Sequence, residues 1–214
     1  MLFLALVFVF LMPIAHGADW EFLNDEDNVK VLKRVEPGSS LVEFRGEGQV
    51  KGDFKKVVSV LFDTKRAKEW ADHVAESRID HWVNDHQWVE YDHMWAPFIV
   101  ADRDFVSEGT AQTHVDGYDF LLSFKATTDK NLPETKHVRG TITYARAGVT
   151  KTKDPNIVDV VLEAKVDPNG ALPHWLVNLA QKGWAVRTLH NLREEVQKPD
   201  IKVDPFIEKL FSRP

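Results

Sequence analysis

Between Val158 and Val166 the chain alternates. Val158, Val160, Leu162, Ala164 and Val166 fall on one side of a pleated strand, and Asp159, Glu163 and Lys165 help make the other. Similar stretches cover 77–83, 87–95, 102–112, 118–127 and 137–146, separated by turn residues, so the region 77–166 predicts an antiparallel meander. Residues 41–50 predict one earlier strand. The acidic stretch from Trp20 predicts a short helix leading into an alternating edge strand that ends at Val35. Phe54, Val57, Val58, Leu61 and Phe62 recur at helical spacing and predict a helix within 53–71. After the turn cluster Asp167-Pro168-Asn169-Gly170, a helix with Pro173 in its first turn is expected. Leu172, Trp175, Leu176, Val177, Leu179, Ala180 and Trp184 spread around much of its circumference. Its second half narrows to Leu189, Leu192 and Val196 opposite Arg187, Glu194 and Glu195, and a charged tail with prolines follows. Strand, helix, a long antiparallel run and a terminal helix make an α+β arrangement. A helix apolar nearly all round needs cover on most sides, and a curved sheet wrapped around one long helix supplies it.

Composition narrows the setting. Residues 2–12 are apolar and uncharged, too short for a membrane span of ~20 residues, and Ala15 and Gly17 stand at small-residue positions. A secretory signal peptide over 1–17 is expected, with a single domain over 18–214 and a secreted or periplasmic location. The 214-residue chain has no cysteine, which rules out disulfides and thiolate chemistry. Its net charge of −6 argues against nucleic acid and against polybasic docking on anionic lipid, leaving brief apolar membrane contact. A monomer is expected. No G-x-S-x-G, P-loop or dinucleotide fingerprint occurs, so no catalytic residue or cofactor is assigned. Four Asp-His pairs end at His73, His81, His86 and His93, but their spacings do not suggest convergence, and no metal site is expected.

Four stretches together carry a resemblance: KEWADHV (68–74), RDFV (103–106), TTDKNLPE (127–134) and DPNGALPHWLVN (167–178). In this order and spacing they resemble the START family of lipid-transfer domains. The resemblance implies a helix-grip fold, in which a curved antiparallel sheet grips a long C-terminal helix around an internal apolar tunnel. It implies one bound lipid (a sterol, a phospholipid or another apolar molecule) carried between membranes without chemistry. An enzyme of the cyclase or aromatase type using the same cavity is the alternative, and a ligand-stabilised sensor a third reading. Ligand contacts are implied at Glu90, Phe105, Leu132, Val177, Trp184, Thr188 and Leu192, with the loop 127–137 as a lid carrying Leu132 at its tip. Glu90 falls where sterol-binding relatives carry an acidic residue paired with an arginine. The position of that arginine is Gly109 here.

Overall fold

A computed structural model describes residues 19–96 and 100–212. The expected signal peptide at 1–17 lies outside them. The chain opens with a hairpin, β1 (Glu21–Glu26) and β2 (Val29–Arg34), followed by β3 (Glu43–Lys51). Asp27 and Asn28 both hold positive φ, 50° and 55°, which short polar side chains tolerate and a two-residue hairpin turn requires. The short N-terminal helix expected there is therefore a strand: its acidic residues form an edge and a turn.

Helices α1 (Phe54–Phe62) and α2 (Ala67–Trp70) come next, then strands β4 (Val74–Asn84), β5 (Gln87–Met94), β6 (Arg103–Val115) and β7 (Tyr118–Ala126). The two-residue β8 (Val138–Arg139), β9 (Thr141–Lys151) and β10 (Ile157–Asp167) complete a ten-stranded sheet. The sheet path is β1-β2-β3-β10-β9-β7-β6-β5-β4, antiparallel throughout, with β8 parallel to β6 off the path. The last strand thus seals the gap between the third strand and the meander.

The expected face of β10 is confirmed at Val158, Val160 and Leu162, which are buried in the main core. Ala164 and Val166 keep partial exposure, after which a bulge at Lys165/Val166 turns the strand end. The opposite face is less wet than alternation suggests. Glu163 is buried beside Arg45 (2.7 Å), and Lys165 is buried between Glu36 and Glu43. Glu43, fully buried, also accepts from Arg34 (2.5 Å) and Tyr144 (2.7 Å), so an ionic network covers this part of the outer face.

The terminal helix is not continuous. It is α3 (His174–Gln181) and α4 (Trp184–Val196), separated by Lys182 and by Gly183 at φ −92°, ψ 0°. Glycine is the weakest helix former after proline, and the break falls on it. Pro173 is the N-cap of α3, one position before the first turn. α4 buries Ala185, Val186, Thr188, Leu189, Leu192 and Val196. It comes so close to the sheet that a Cβ on Gly46 would lie 2.5 Å from the Ala185 Cβ, so no larger residue fits at 46. The tail is ordered as α5 (Pro205–Phe211), capped by Asp204 and docked through Phe206 and Ile207 on the core.

Candidate functional site

A cavity of about 210 Å³ lies under α3. Its floor is Met94 of β5 and Phe105 of β6. Its roof is Leu172 and, on α3, Leu176, Val177 and Ala180, and its rim includes Trp95, Ala96 and Val100. Most of the lining is carbon, because every second residue of β5 and β6 faces inward and α3 presents its apolar side. Arg103 joins the wall, but its guanidinium donates to the carbonyls of Ala101, Pro168 and Asn169 rather than facing a carboxylate. Burial lowers its pKa.

Asp102 accepts from the Ala96 N–H at 3.0 Å and meets His93 Nε2 at 2.8 Å; both contacts hold its carboxyl below the ordinary range. His137 stacks on His93 with ring centroids 4.2 Å apart. His93, Asp102 and His137 therefore converge, a grouping that takes in just one of the four Asp-His histidines, and they are the described residues that could hold a metal. Outside the cavity the mouth is apolar and exposed: Trp95 is 49% exposed, Trp175 68% and Leu179 62%. The apolar circumference of the terminal helix is therefore not covered by sheet at α3, which corrects the reason expected for it.

The sequence-predicted contacts divide. Phe105 and Val177 line the cavity. Leu192 is fully buried in the close-packed core under α4, and Trp184 packs against that core. Thr188 is buried with its hydroxyl unpartnered. None of these three lines the cavity. The expected tunnel along the whole helix is confined to the α3 end because α4 presses directly onto β3.

Leu132 is corrected too. It is buried against Val89, Tyr91 and Val106, which alternate with Glu90 and Phe105 and so lie on the outer face of the sheet. The loop 127–137 is fastened there, through Thr135 to Asp104 (2.8 Å), and is not a lid over the cavity. Asp104, fully buried, takes two hydrogen bonds from Arg139. The RDFV motif is thus architectural: Asp104 pairs with Arg139, and Arg103 holds backbone carbonyls.

Glu90 lies on the inner face of β5. Trp88 Nε1 donates to its Oε2 at 2.7 Å and Ser77 Oγ to its Oε1 at 3.1 Å. The absent arginine is explained sterically: a Cβ on Gly109 would sit 2.4 Å from the Trp88 ring, so the indole fills that space. Asp92, two residues on, lies on the same face, and its charge acts on Glu90. Burial, and then the Asp92 charge, push the Glu90 pKa well above the carboxylate range. Burial raises Asp92 to about 6. Sequence reasoning missed Asp92 as a site residue. Its i+2 relation to Glu90 was the available signal.

A curved antiparallel sheet closed by C-terminal helices over an apolar cavity defines a container for an apolar molecule. The START domain model matches residues 8–200, and the chain belongs to that family. It is similar to an uncharacterized protein of Pseudomonas aeruginosa, 26% identical and covering 86% of this chain and 90% of that one. It is also similar to the mouse phosphatidylcholine transfer protein, 23% identical over 86% and 87% of the two chains. Among solved structures, a STAR-related lipid transfer protein from Xanthomonas axonopodis is 31% identical with a TM-score of 0.72, covering 84% of this chain and 99% of that one. Human StAR-related lipid transfer protein 5 shares the fold at TM-score 0.75 and 21% identity, covering 86% and 88%.

Proposed function

We propose that this protein binds one lipid at a time and carries it between membranes, releasing it unchanged. The observation that carries the reading is a carbon-lined cavity whose mouth lies beside the exposed apolar side chains of α3. Family membership and the lipid-transfer relatives support it. At about 210 Å³ the cavity is below the ~300–1,000 Å³ of typical ligand sites, so a whole lipid needs the roof to move. α3 is the element to move: it is short, half-exposed and separated from α4 by the break at Lys182 and Gly183. Trp175 and Leu179 enter the membrane surface while α3 is lifted, so the cavity empties into lipid and not into water. The apolar, uncharged run at 2–12 with small residues after it supports reading 1–17 as an export signal, and with it an activity outside the cytoplasm.

Native mass spectrometry of the protein purified from its source is the test. One lipid mass per chain is expected. Val177→Trp, which fills the cavity under α3, is expected to cut loading severalfold with little change in denaturation midpoint. Equal loading in that variant overturns the reading.

One observation favours an enzyme instead: the two interior carboxyls with raised pKa values are the convergent acid-base pair that a cyclase needs. A Streptomyces aromatase/cyclase shares the fold at TM-score 0.53 and 12% identity. Bound ligand whose mass changes on incubation would decide for it.

A further inference from the structure

On the outer face of the sheet, three metal-ligating side chains meet from three segments of the chain. His93 lies one step before Met94 at the end of β5 and alternates with Tyr91, which faces outward. Asp102 directly precedes β6, and His137 directly precedes β8. The strand register brings them together. His93 stands opposite Asp104 of β6. β8 runs parallel to β6 with Val138 beside Arg103, and the Val138 N–H donates to the Asp102 carbonyl at 3.1 Å. His93 Nε2 lies 2.8 Å from Asp102 Oδ2, and the two imidazoles stack with centroids 4.2 Å apart. One ligand atom from each of the three residues falls within 4.8 Å of the other two.

Two imidazoles and a carboxylate suit a divalent transition ion, and zinc takes three such ligands with water in the fourth position. Bonds of about 2.0–2.2 Å at tetrahedral angles put ligand atoms ~3.3 Å apart. The His93–Asp102 pair is already near that spacing. The rings have room to close the rest, since all three residues are only partly buried. The carboxylate is also held in place from behind: Asp102 Oδ1 accepts from the Ala96 N–H at 3.0 Å, as the outer partners of metal ligands do. The nearby cations are committed elsewhere, Arg103 to three carbonyls, Arg139 to Asp104 and Arg78 to Glu76. A plain His–Asp hydrogen bond needs two of the three groups, and β8 holds the third beside them.

We propose that His93, Asp102 and His137 bind one zinc ion on the outer face of the sheet. The ion ties the end of the loop 127–137 to β5 and β6, and through Asp102 it steadies Ala96 at the cavity rim. Zinc binding at this site is independent of lipid carriage.

The test is calorimetric titration of zinc chloride into the full chain at pH 7.5, after chelator treatment and dialysis. One ion per chain is expected, with a dissociation constant of about 10 μM or tighter. His93→Ala and His137→Ala should each weaken binding at least tenfold, since losing a ligand costs no less than the ~10–100-fold of losing an outer partner. His190, which meets Asp27 and Glu194 elsewhere on the surface, is the control, and His190→Ala should bind as the native chain does. Zinc at a hundredfold excess over the dissociation constant should raise the thermal midpoint of the native chain by at least ~5 °C, reversibly with chelator, and not that of His137→Ala. If His93→Ala fails to fold, His137→Ala decides, because residue 137 lies outside every strand. Binding weaker than about 10 μM overturns the inference. So does a site that keeps its affinity in His137→Ala, or one that is lost in His190→Ala.

Discussion

Asp92 has a measurable cost. An unfolded aspartate titrates near 3.9, whereas burial raises this one to about 6. Below pH ~4 the carboxyl is protonated in both states and costs nothing. Above about 6 it is ionised in both, and the full penalty of holding that charge inside is present. Stability from this group therefore falls as pH rises from ~4 to ~6. A fully dry site would lose about 3 kcal/mol, and partial exposure of Asp92 reduces this to about 1–2 kcal/mol. Asp92→Asn should match the native protein in urea denaturation at pH 4 and exceed it by that amount at pH 7. The facing groups are Glu90, whose own carboxyl burial pushes well above the carboxylate range, and Arg78, whose field opposes the shift. An advantage that is constant with pH would show that Asp92 is not titrating in this window. Alternation placed Glu90 and Asp92 on one face in the sequence. Which face was inside, and that Trp88 rather than a cation would meet Glu90, came from the packing of Trp88 over Gly109.

Among elements, the loop 127–137 and helix α3 exchange the roles that the sequence suggested. Both carry apolar residues among polar ones, a pattern that marks a contact without naming its partner. Leu132 is buried on the outer sheet face with Val89, Tyr91 and Val106. Leu132→Ala should cost about 2–3 kcal/mol of stability, in the range for buried leucine, and leave lipid loading unchanged. A loss of loading without loss of stability would return the loop to the site. α1, β3–β7 and β10 were legible because their periodicity reports a buried face directly, whereas β8 and β9 were read as one strand over 137–146. The hairpin of β1 and β2 was not legible, since two residues at positive φ decide it and leave no periodic trace.

For the whole molecule, charge and shape bear on the membrane contact proposed above. A net charge of −6 opposes attraction to anionic lipid, so the proposal relies on apolar insertion. Replacing Trp175 and Leu179 together by serine should weaken capture on neutral vesicles about tenfold, a loss of ~1.4 kcal/mol that partial insertion of two large side chains readily supplies. Both are exposed, so the fold and the loading of lipid from detergent should survive. Unchanged capture would move the contact away from α3. The mature chain recovered outside the cell should begin at Ala18, as intact-mass measurement would show. A mass that retains residues 1–17 would make that segment an anchor.

The sequence by itself determined the strands of the meander, the buried stripes of α1 and α4, the absence of cysteine chemistry and the family. These follow from side-chain period and residue type, which are local. Only the tertiary structure decided that the cavity stops at α3, that Leu132 faces outward and that two carboxyls and a serine hydroxyl share the interior. Each of those depends on contacts between strands and helices far apart in the chain, such as Gly46 against Ala185 or Glu90 opposite Ser107. A contact worth a few kcal/mol between distant residues chooses the inner or outer side of a sheet without changing the pattern of either segment.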